Sequence, residues 1–98
     1  MIEAMVNVFK AFSNIAAAYM FGSRVCGKAT KASDYDVGLL FKDYYSLDEV
    51  LNITLRLADA LDVDLDFINV VGLNYAPVEL AFDIIAKGKL IYLSLIHI

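Results

Sequence analysis

The feature that most constrains this chain is the order of its apolar segments, which switch repeatedly between helical and strand periodicity. Apolar residues at three- and four-residue steps predict helices over 2–13 and 47–61, and a third from Pro77 to Gly88. The predicted strands, each a short apolar or alternating run, are 15–21, 36–41, 63–70 and 90–93. This order predicts an α/β (α+β) fold, with a small mixed sheet of about four strands and helices packed mainly on one face.

The predicted helix over 47–61 carries more apolar residues than one face needs. Ser46 is expected to cap its first turn, with Glu49 at the reciprocal position of a capping box. The broader apolar stripe, expected to face the core, comprises Leu47, Val50, Leu51, Thr54, Leu55, Ala58 and Leu61. Ile53 and Leu57 form a narrower ridge off that stripe. This ridge either widens the core face or belongs to a surface that contacts a partner.

The high apolar content predicts a packed core and some apolar surface beyond it. Of the 98 residues, 60% are hydrophobic, which excludes an intrinsically disordered chain. A chain of this length is expected to form one domain, residues 1–98. Because so small a domain buries a limited share of its surface, the excess of apolar residues predicts an interface with a partner.

The charge and the cysteine count exclude several classes of protein. The net charge of −4 argues against binding of long nucleic acid through its phosphates. Polar residues interrupt every apolar run before the ~18 residues that a membrane span needs. One cysteine and one histidine are too few for a disulfide or a structural zinc site. Since the first residues lack a secretory signal, the expected compartment is the reducing cytoplasm.

The segment after the first predicted strand contains a candidate phosphate site. Gly22-Ser23 follows the strand and is expected to enter a helical turn, which leaves backbone N–H groups and a hydroxyl available at the sheet edge. Arg24 and Lys28 add positive charge close by, although either is also compatible with a solvated surface residue. We interpret Gly22, Ser23 and Arg24 as phosphate-binding residues.

Two carboxylates lie two residues apart at the next predicted strand. Because alternate residues of a strand project to the same face, Asp34 and Asp36 are expected to share a cation. Magnesium takes oxygen ligands and keeps places for water and substrate phosphates, so this pair beside a phosphate site predicts a magnesium-dependent catalytic centre. A third carboxylate is expected from the strand over 63–70, where Asp66 is the first choice and Asp64 the second.

Each of these features is common by itself. An isolated Asp-x-Asp pair most often lies on a solvated strand face or in a turn, and a lone Gly-Ser pair is usually a turn. The coincidence of the Gly-Ser turn, the carboxylate pair and a third aspartate on successive elements favours a functional site.

In this combination the chain resembles the minimal nucleotidyltransferase family of the DNA polymerase β superfamily. The residues that carry the resemblance are Gly22-Ser23, Asp34-Tyr35-Asp36 and Asp66-Phe67-Ile68, together with Arg24, Gly27 and the segment 87–92. It implies a nucleotidyltransferase-like fold and transfer of a nucleoside monophosphate from a nucleoside triphosphate to an acceptor hydroxyl. It also implies that the reaction uses two metal ions and that Asp34 and Asp36 bind both of them. By the same resemblance, Asp66 helps to activate the acceptor.

The resemblance further implies a partner protein. Small members of the family commonly pair with a helical partner of the HEPN type, in some cases as antitoxins that modify a tyrosine of that partner. The alternative function is therefore a binding module that keeps the nucleotide fold and acts by covering a HEPN-type partner.

The strand pattern also predicts where a partner binds. Three residues of the strand over 36–41 are expected under the helices, namely Val37, Leu39 and Phe41. Leu40 then lies on the carboxylate face. Ile68 and Val70 are expected on the same face as Asp66. We expect a homodimer or a hetero-complex to cover this partly apolar face.

Overall fold

A computed structural model describes residues 1–27 and 34–94 of the chain. Its elements, in chain order, are α1 (Ile2–Lys10), β1 (Ile15–Phe21), α2 (Ser23–Cys26), β2 (Tyr35–Phe41), α3 (Leu47–Leu61), a 3-10 turn (Leu65–Phe67), β3 (Ile68–Gly72), α4 (Val78–Lys87) and β4 (Lys89–Leu93). In this part of the chain no helix is long and apolar enough to cross a membrane.

The four strands form one mixed sheet in the order β3-β2-β1-β4. β1 lies between β2 and β4 and runs antiparallel to both. β2 runs parallel to β3, and α3 makes the crossover that a parallel pair requires. The mixed four-stranded sheet with its packed helices confirms the predicted fold class.

One face of the sheet carries the main hydrophobic core. α1 and α3 pack on this face because each turns a row of apolar residues toward the strands. The largest fully buried side chains here are Met5, Phe9, Ile15, Val37, Leu39, Ile53 and Leu57. Val37, Leu39 and Phe41 are all buried, as their alternation along β2 predicts.

α4 packs on the opposite face, against β1 and beside Gly38 of β2. Gly38 lies on this face because its neighbours in β2 point into the main core. A Cβ at Gly38 would come within 2.9 Å of Ile84 Cγ2 and 3.3 Å of Leu73 Cδ2. The missing side chain therefore lets α4 approach the sheet closely, on the face that also carries Asp36.

The structure corrects the face that α3 turns to the core. Ile53 and Leu57, the narrower ridge, are 0% exposed, which confirms the alternative that this ridge belongs to the core face. Leu47, Leu51 and Leu55, predicted to face the core, are 83%, 51% and 45% exposed. Both rows have helical spacing, so periodicity alone did not distinguish them.

Hydrogen bonds at the first turn of α3 accompany this rotation. Ser46 Oγ accepts from the Glu49 N–H at 3.2 Å, which confirms the predicted cap. Asn14, immediately before β1, donates from Nδ2 to Glu49 Oε1 at 3.3 Å. Glu49, Ile53 and Leu57 are each four residues apart, so they lie in one row of the helix. This row faces the sheet, because Ile53 and Leu57 are buried in the core.

The prediction of a strand over 63–70, after α3, is wrong for the first half of that range. Asp62 ends α3 in the left-handed conformation, with φ 56° and ψ 48°. The next N–H group, that of Val63, donates to the carbonyl of Ala58 at 3.0 Å, and residues 65–67 form the 3-10 turn. Backbone groups used in these turns do not pair with β2, so β3 begins only at Ile68.

Ile68 and Val70 face the main core, not the carboxylate face on which they were predicted. They pair with Tyr35 and Val37 of β2 in parallel register, and residues paired in this way project to the same face. Ile68 is 8% exposed and Val70 packs against the core. The carboxylate face is therefore less apolar than predicted.

Three aromatic rings lie together beside β3. The Tyr45 ring stacks on Phe41 with 4.1 Å between the ring centroids, and the Tyr75 centroid is 5.6 Å from that of Tyr45. A Cβ at Gly72 would lie 2.7 Å from Tyr45 Cζ, so the ring occupies the space that this glycine leaves. Burial raises the pKa of Tyr45, and the neighbouring Tyr75 raises it further.

The corrected face of α3 predicts different sensitivities for two leucines of the same helix. Leu57→Ala is expected to lower the free energy of unfolding by about 2–5 kcal/mol, because it leaves a cavity in the core. Leu51→Ala is the matched control, and truncation of its half-exposed side chain is expected to cost less than about 1 kcal/mol. Urea unfolding followed by circular dichroism measures both values. Equal losses would contradict the assigned face.

The raised pKa of Tyr45 predicts a loss of stability at alkaline pH. The unfolded chain releases the phenol proton near the ordinary pKa of 10.0, whereas the folded protein retains it to higher pH. This contribution is complete below pH 10 and disappears as the pH rises through the pKa of the folded state. Tyr45→Phe is therefore expected to lose less stability than wild type above pH 10. Chemical unfolding at a series of pH values tests this, and parallel profiles would count against it.

Candidate active site

The antiparallel register of β1 and β2 brings the backbone of Gly22 against the side chain of Asp36. Phe21, the last residue of β1, pairs with Asp36, and the chain then turns at Gly22. Gly22 has φ 79° and ψ −156°, a conformation that strains any other residue. A Cβ at Gly22 would overlap Asp36 Oδ2 and lie 3.1 Å from Asp36 Cγ. Both the backbone conformation and the carboxylate therefore require glycine here.

A single helical turn follows this glycine. α2 comprises only Ser23–Cys26, and the Val25 N–H donates to the carbonyl of Gly22 at 3.1 Å. Gly27 ends the turn in the left-handed conformation, with φ 76° and ψ 12°. The Gly-Ser pair thus leaves a strand and enters a helical turn, as the sequence predicted. Its contact with phosphate stays a prediction.

Arg24 lies on the Tyr35 side of the sheet. Its guanidinium carbon is 3.8 Å from the centroid of the Tyr35 ring, and Tyr35 packs against the main core. Both side chains line a cavity of about 580 Å³, together with Ala58, Asp59, Asp62, Val63, Asp64 and Phe67. Because Tyr35 and Asp36 are successive strand residues, they point to opposite faces. The predicted role of Arg24 in phosphate binding therefore stays a prediction.

Asp36 is held by a residue that the sequence analysis did not identify. Asn69 Nδ2 donates to Asp36 Oδ1 at 3.1 Å, and the two residues pair in the parallel β2–β3 ladder. Asp34 is exposed and lies immediately before β2. The sequence signal for Asn69 is its place between Ile68 and Val70, since a polar residue between two buried strand residues faces the opposite side.

Among the residues that the structure describes, no third carboxylate joins Asp34 and Asp36 in a metal-binding group. Asp66 is exposed and lies in the 3-10 turn before β3. Asp64, the second choice, lines the cavity on the Tyr35 side. Within residues 1–27 and 34–94, no group of three Asp, Glu, His or Cys side chains is placed to hold a metal ion. Lys28, the other predicted cation, lies outside the described residues.

The residue types at Asp34 and Asp36 suit a magnesium ion. Asp34 and Asp36 supply charged oxygen ligands of the kind that magnesium prefers. The Gly22 backbone approaches the Asp36 carboxylate so closely that a Cβ would overlap Asp36 Oδ2. The predicted cation ligand and the predicted phosphate site therefore meet at one end of the β1–β2 pair.

The match to a family model agrees with this geometry. The model described as "Polymerase beta, Nucleotidyltransferase" matches residues 3–94. The chain belongs to the polymerase β nucleotidyltransferase family. No curated protein sequence matches this nucleotidyltransferase domain significantly.

Solved structures of toxin–antitoxin pairs share the fold. A chain of a toxin–antitoxin crystallised with AMP-PNP has a TM-score of 0.82 at 22% identity, and the match covers 96% of this chain and 74% of that chain. A chain of the toxin–antitoxin MntA–HepT has a TM-score of 0.72 at 21% identity, with 95% and 70% covered. For the tri-AMPylated Shewanella oneidensis HEPN toxin in complex with its MNT antitoxin, the TM-score is 0.66 at 21% identity, with 96% and 74% covered. This likeness confirms the nucleotidyltransferase-like fold.

The two glycines that flank α2 allow a matched comparison of the cost of an alanine substitution at each. A Cβ at Gly27 would meet nothing within 4 Å, so Gly27→Ala is expected to cost only the strain of a left-handed residue, about 1–2 kcal/mol. Gly22→Ala adds a collision with Asp36 to its backbone strain and is expected to cost at least about 1 kcal/mol more. Thermal melting in chelator measures both. A larger loss for Gly27→Ala would contradict the close approach of Gly22 to Asp36.

Proposed function

We propose that the protein is a magnesium-dependent nucleotidyltransferase that moves a nucleoside monophosphate from a nucleoside triphosphate to an acceptor hydroxyl. The observation that carries this proposal is the approach of the Gly22 backbone to the Asp36 carboxylate. It brings a candidate phosphate site beside an oxygen ligand for magnesium, and phosphoryl transfer needs both. Membership of the polymerase β nucleotidyltransferase family supports the same reaction class.

In this proposal the chain binds the triphosphate at Gly22 and Ser23 and holds magnesium with Asp34 and Asp36. The metal, when bound, neutralises negative charge on the phosphate oxygens. The acceptor oxygen attacks the α-phosphorus in line with the bond to the bridging oxygen. A new P–O bond forms as the bridging bond breaks, and pyrophosphate leaves. The acceptor proton passes to a carboxylate base, the role that we propose for Asp66.

We infer an adenine nucleotide as the donor and a partner protein as the acceptor. One structural neighbour was crystallised with AMP-PNP, and another contains an AMPylated HEPN toxin beside its MNT antitoxin. These properties of the neighbours support ATP and a side-chain hydroxyl of a HEPN-type partner as the two substrates of this chain.

Exposed apolar side chains favour a second function, in which the chain covers a partner. Two helices carry such rows: Leu47, Leu51 and Leu55 on α3, and Val78, Phe82 and Ile85 on α4. Exposed apolar rows on a small domain mark interaction surfaces. α4 also lines a cavity of about 200 Å³ with Gly22 and Val25, so it borders the candidate site. We propose that a HEPN-type partner, or a second copy of this chain, covers the outer row of α4.

Loss of either predicted metal ligand is expected to abolish transfer. Asp34→Asn and Asp36→Asn should each lower transfer of label from α-labelled ATP to a co-purified HEPN-type partner by at least about 100-fold, because the cation loses a charged ligand. Asp48→Asn, an exposed carboxylate on α3, is the control and should retain the wild-type rate. A wild type that binds the partner but transfers no label would contradict the enzymatic proposal and support the covering function.

Substitutions that introduce a charged residue into each apolar row are expected to show which helix the partner covers. Phe82 is 70% exposed and Leu51 is 51% exposed, so Phe82→Glu and Leu51→Glu should both fold. An acceptor that reaches Asp36 must approach on the α4 side. Phe82→Glu should therefore weaken binding of a HEPN-type partner by at least about tenfold, and Leu51→Glu should not. Isothermal titration calorimetry gives both affinities, and wild-type affinity in Phe82→Glu would rule out the α4 surface.

A further inference from the structure

We infer that Asn69 positions the Asp36 carboxylate and occupies the place of a third carboxylate in the site. The inference rests on the proposed function, because it concerns a cation at the same site. It assigns to this chain a two-carboxylate centre that binds a divalent cation weakly alone and firmly together with nucleotide phosphates.

The place of Asn69 follows from the ladder between β2 and β3. Asp36 and Asn69 are register partners in this ladder. Residues paired in this way project to the same face of the sheet, on strands about 5 Å apart. Their side chains meet, since Asn69 Nδ2 lies 3.1 Å from Asp36 Oδ1. Asn69 is thus the β3 residue directly beside the carboxylate.

The two oxygens of Asp36 have different neighbours. Oδ1 accepts the hydrogen bond from Asn69, whereas Oδ2 lies against the backbone at Gly22. A carboxylate that is bonded on one oxygen and confined on the other keeps one orientation. Asn69 therefore acts through Asp36, and we assign it as a positioning residue.

Asp66 does not share this place. It lies in the 3-10 turn that precedes β3, and the first register pair of the β2–β3 ladder is Tyr35 with Ile68. Its side chain is exposed. This position is open to an incoming acceptor, but the ladder does not fix it beside Asp36.

An asparagine at this place lowers the negative charge of the site. Oxygen sites bind divalent cations more tightly as the number of charged ligands rises. Asn69 contributes a neutral amide, and the N–H that it directs to Asp36 is a donor, which does not bind a cation. The triphosphate must then supply the negative charge that a third carboxylate would otherwise give.

Binding of Mn²⁺ without nucleotide tests the charge argument. Electron paramagnetic resonance of free Mn²⁺ gives the affinity of the full chain. Asn69→Asp is expected to bind Mn²⁺ at least about tenfold more tightly than wild type, because it adds a charged ligand beside Asp36. Asp48→Asn, an exposed carboxylate on α3, is the control and should bind as wild type does. The inference is overturned if Asn69→Asp binds no more tightly than wild type, or if Asp66→Asn, which removes the other candidate for a third ligand, loses binding.

Melting in chelator tests the positioning role without metal. Asn69→Asp should melt below wild type because two carboxylates then face each other, and Mn²⁺ should reverse the loss. The losses in Asn69→Ala and Asp36→Ala should be non-additive in the double variant, as expected of two residues in contact. Strict additivity overturns the inference. Absence of label transfer by wild type contradicts only the proposed enzymatic function, since Mn²⁺ affinity and the melting cycle decide the role of Asn69 independently.

Discussion

The pairing of β1 with β2 determines where the chemistry of this chain is placed. β1 ends opposite Asp36, so one strand pair delivers both the Gly22 turn and the carboxylate to the same point. A slip of one residue in β2 would turn Asp36 into the main core. Val37 and Leu39 oppose such a slip, because both are 0% exposed and would leave that core. The hydrophobic core thus fixes the geometry of a polar site on the other side of the sheet.

Much of the fold could be predicted from the sequence because its elements have strong local signals. The bounds predicted for β1 and α3 match the structure, and the Ser46 cap is present. The orientation of α3 was not predictable from periodicity, since apolar residues cover more than half of its circumference. The hydrogen bond from Asn14 to Glu49 that accompanies the observed rotation joins residues distant in the sequence.

The candidate site was predictable where it depends on one strand and its turn, and not where it depends on a neighbouring strand. The Gly-Ser turn and Asp36 lie on the elements predicted for them. The place of Asn69 depends on where β3 begins, which the left-handed residue Asp62 and the 3-10 turn delay to Ile68. The alternation of Asp and apolar residues before Ile68 is as typical of a strand as of the turns observed there. The sequence does not show which backbone groups are already paired within those turns.

The position of β4 affects the folding of the chain during its synthesis. β4 pairs with β1, for example Leu93 with Ala17, so the sheet joins residues that are made at very different times. β1 and β2 are able to pair early, but the outer edge of β1 stays uncovered until residues 89–93 have left the ribosome. At about 5–20 residues per second this interval lasts several seconds. The exposed edge of an apolar strand recruits other strands. Slow or interrupted translation beyond β2 would therefore favour aggregation of the nascent chain over completion of the sheet.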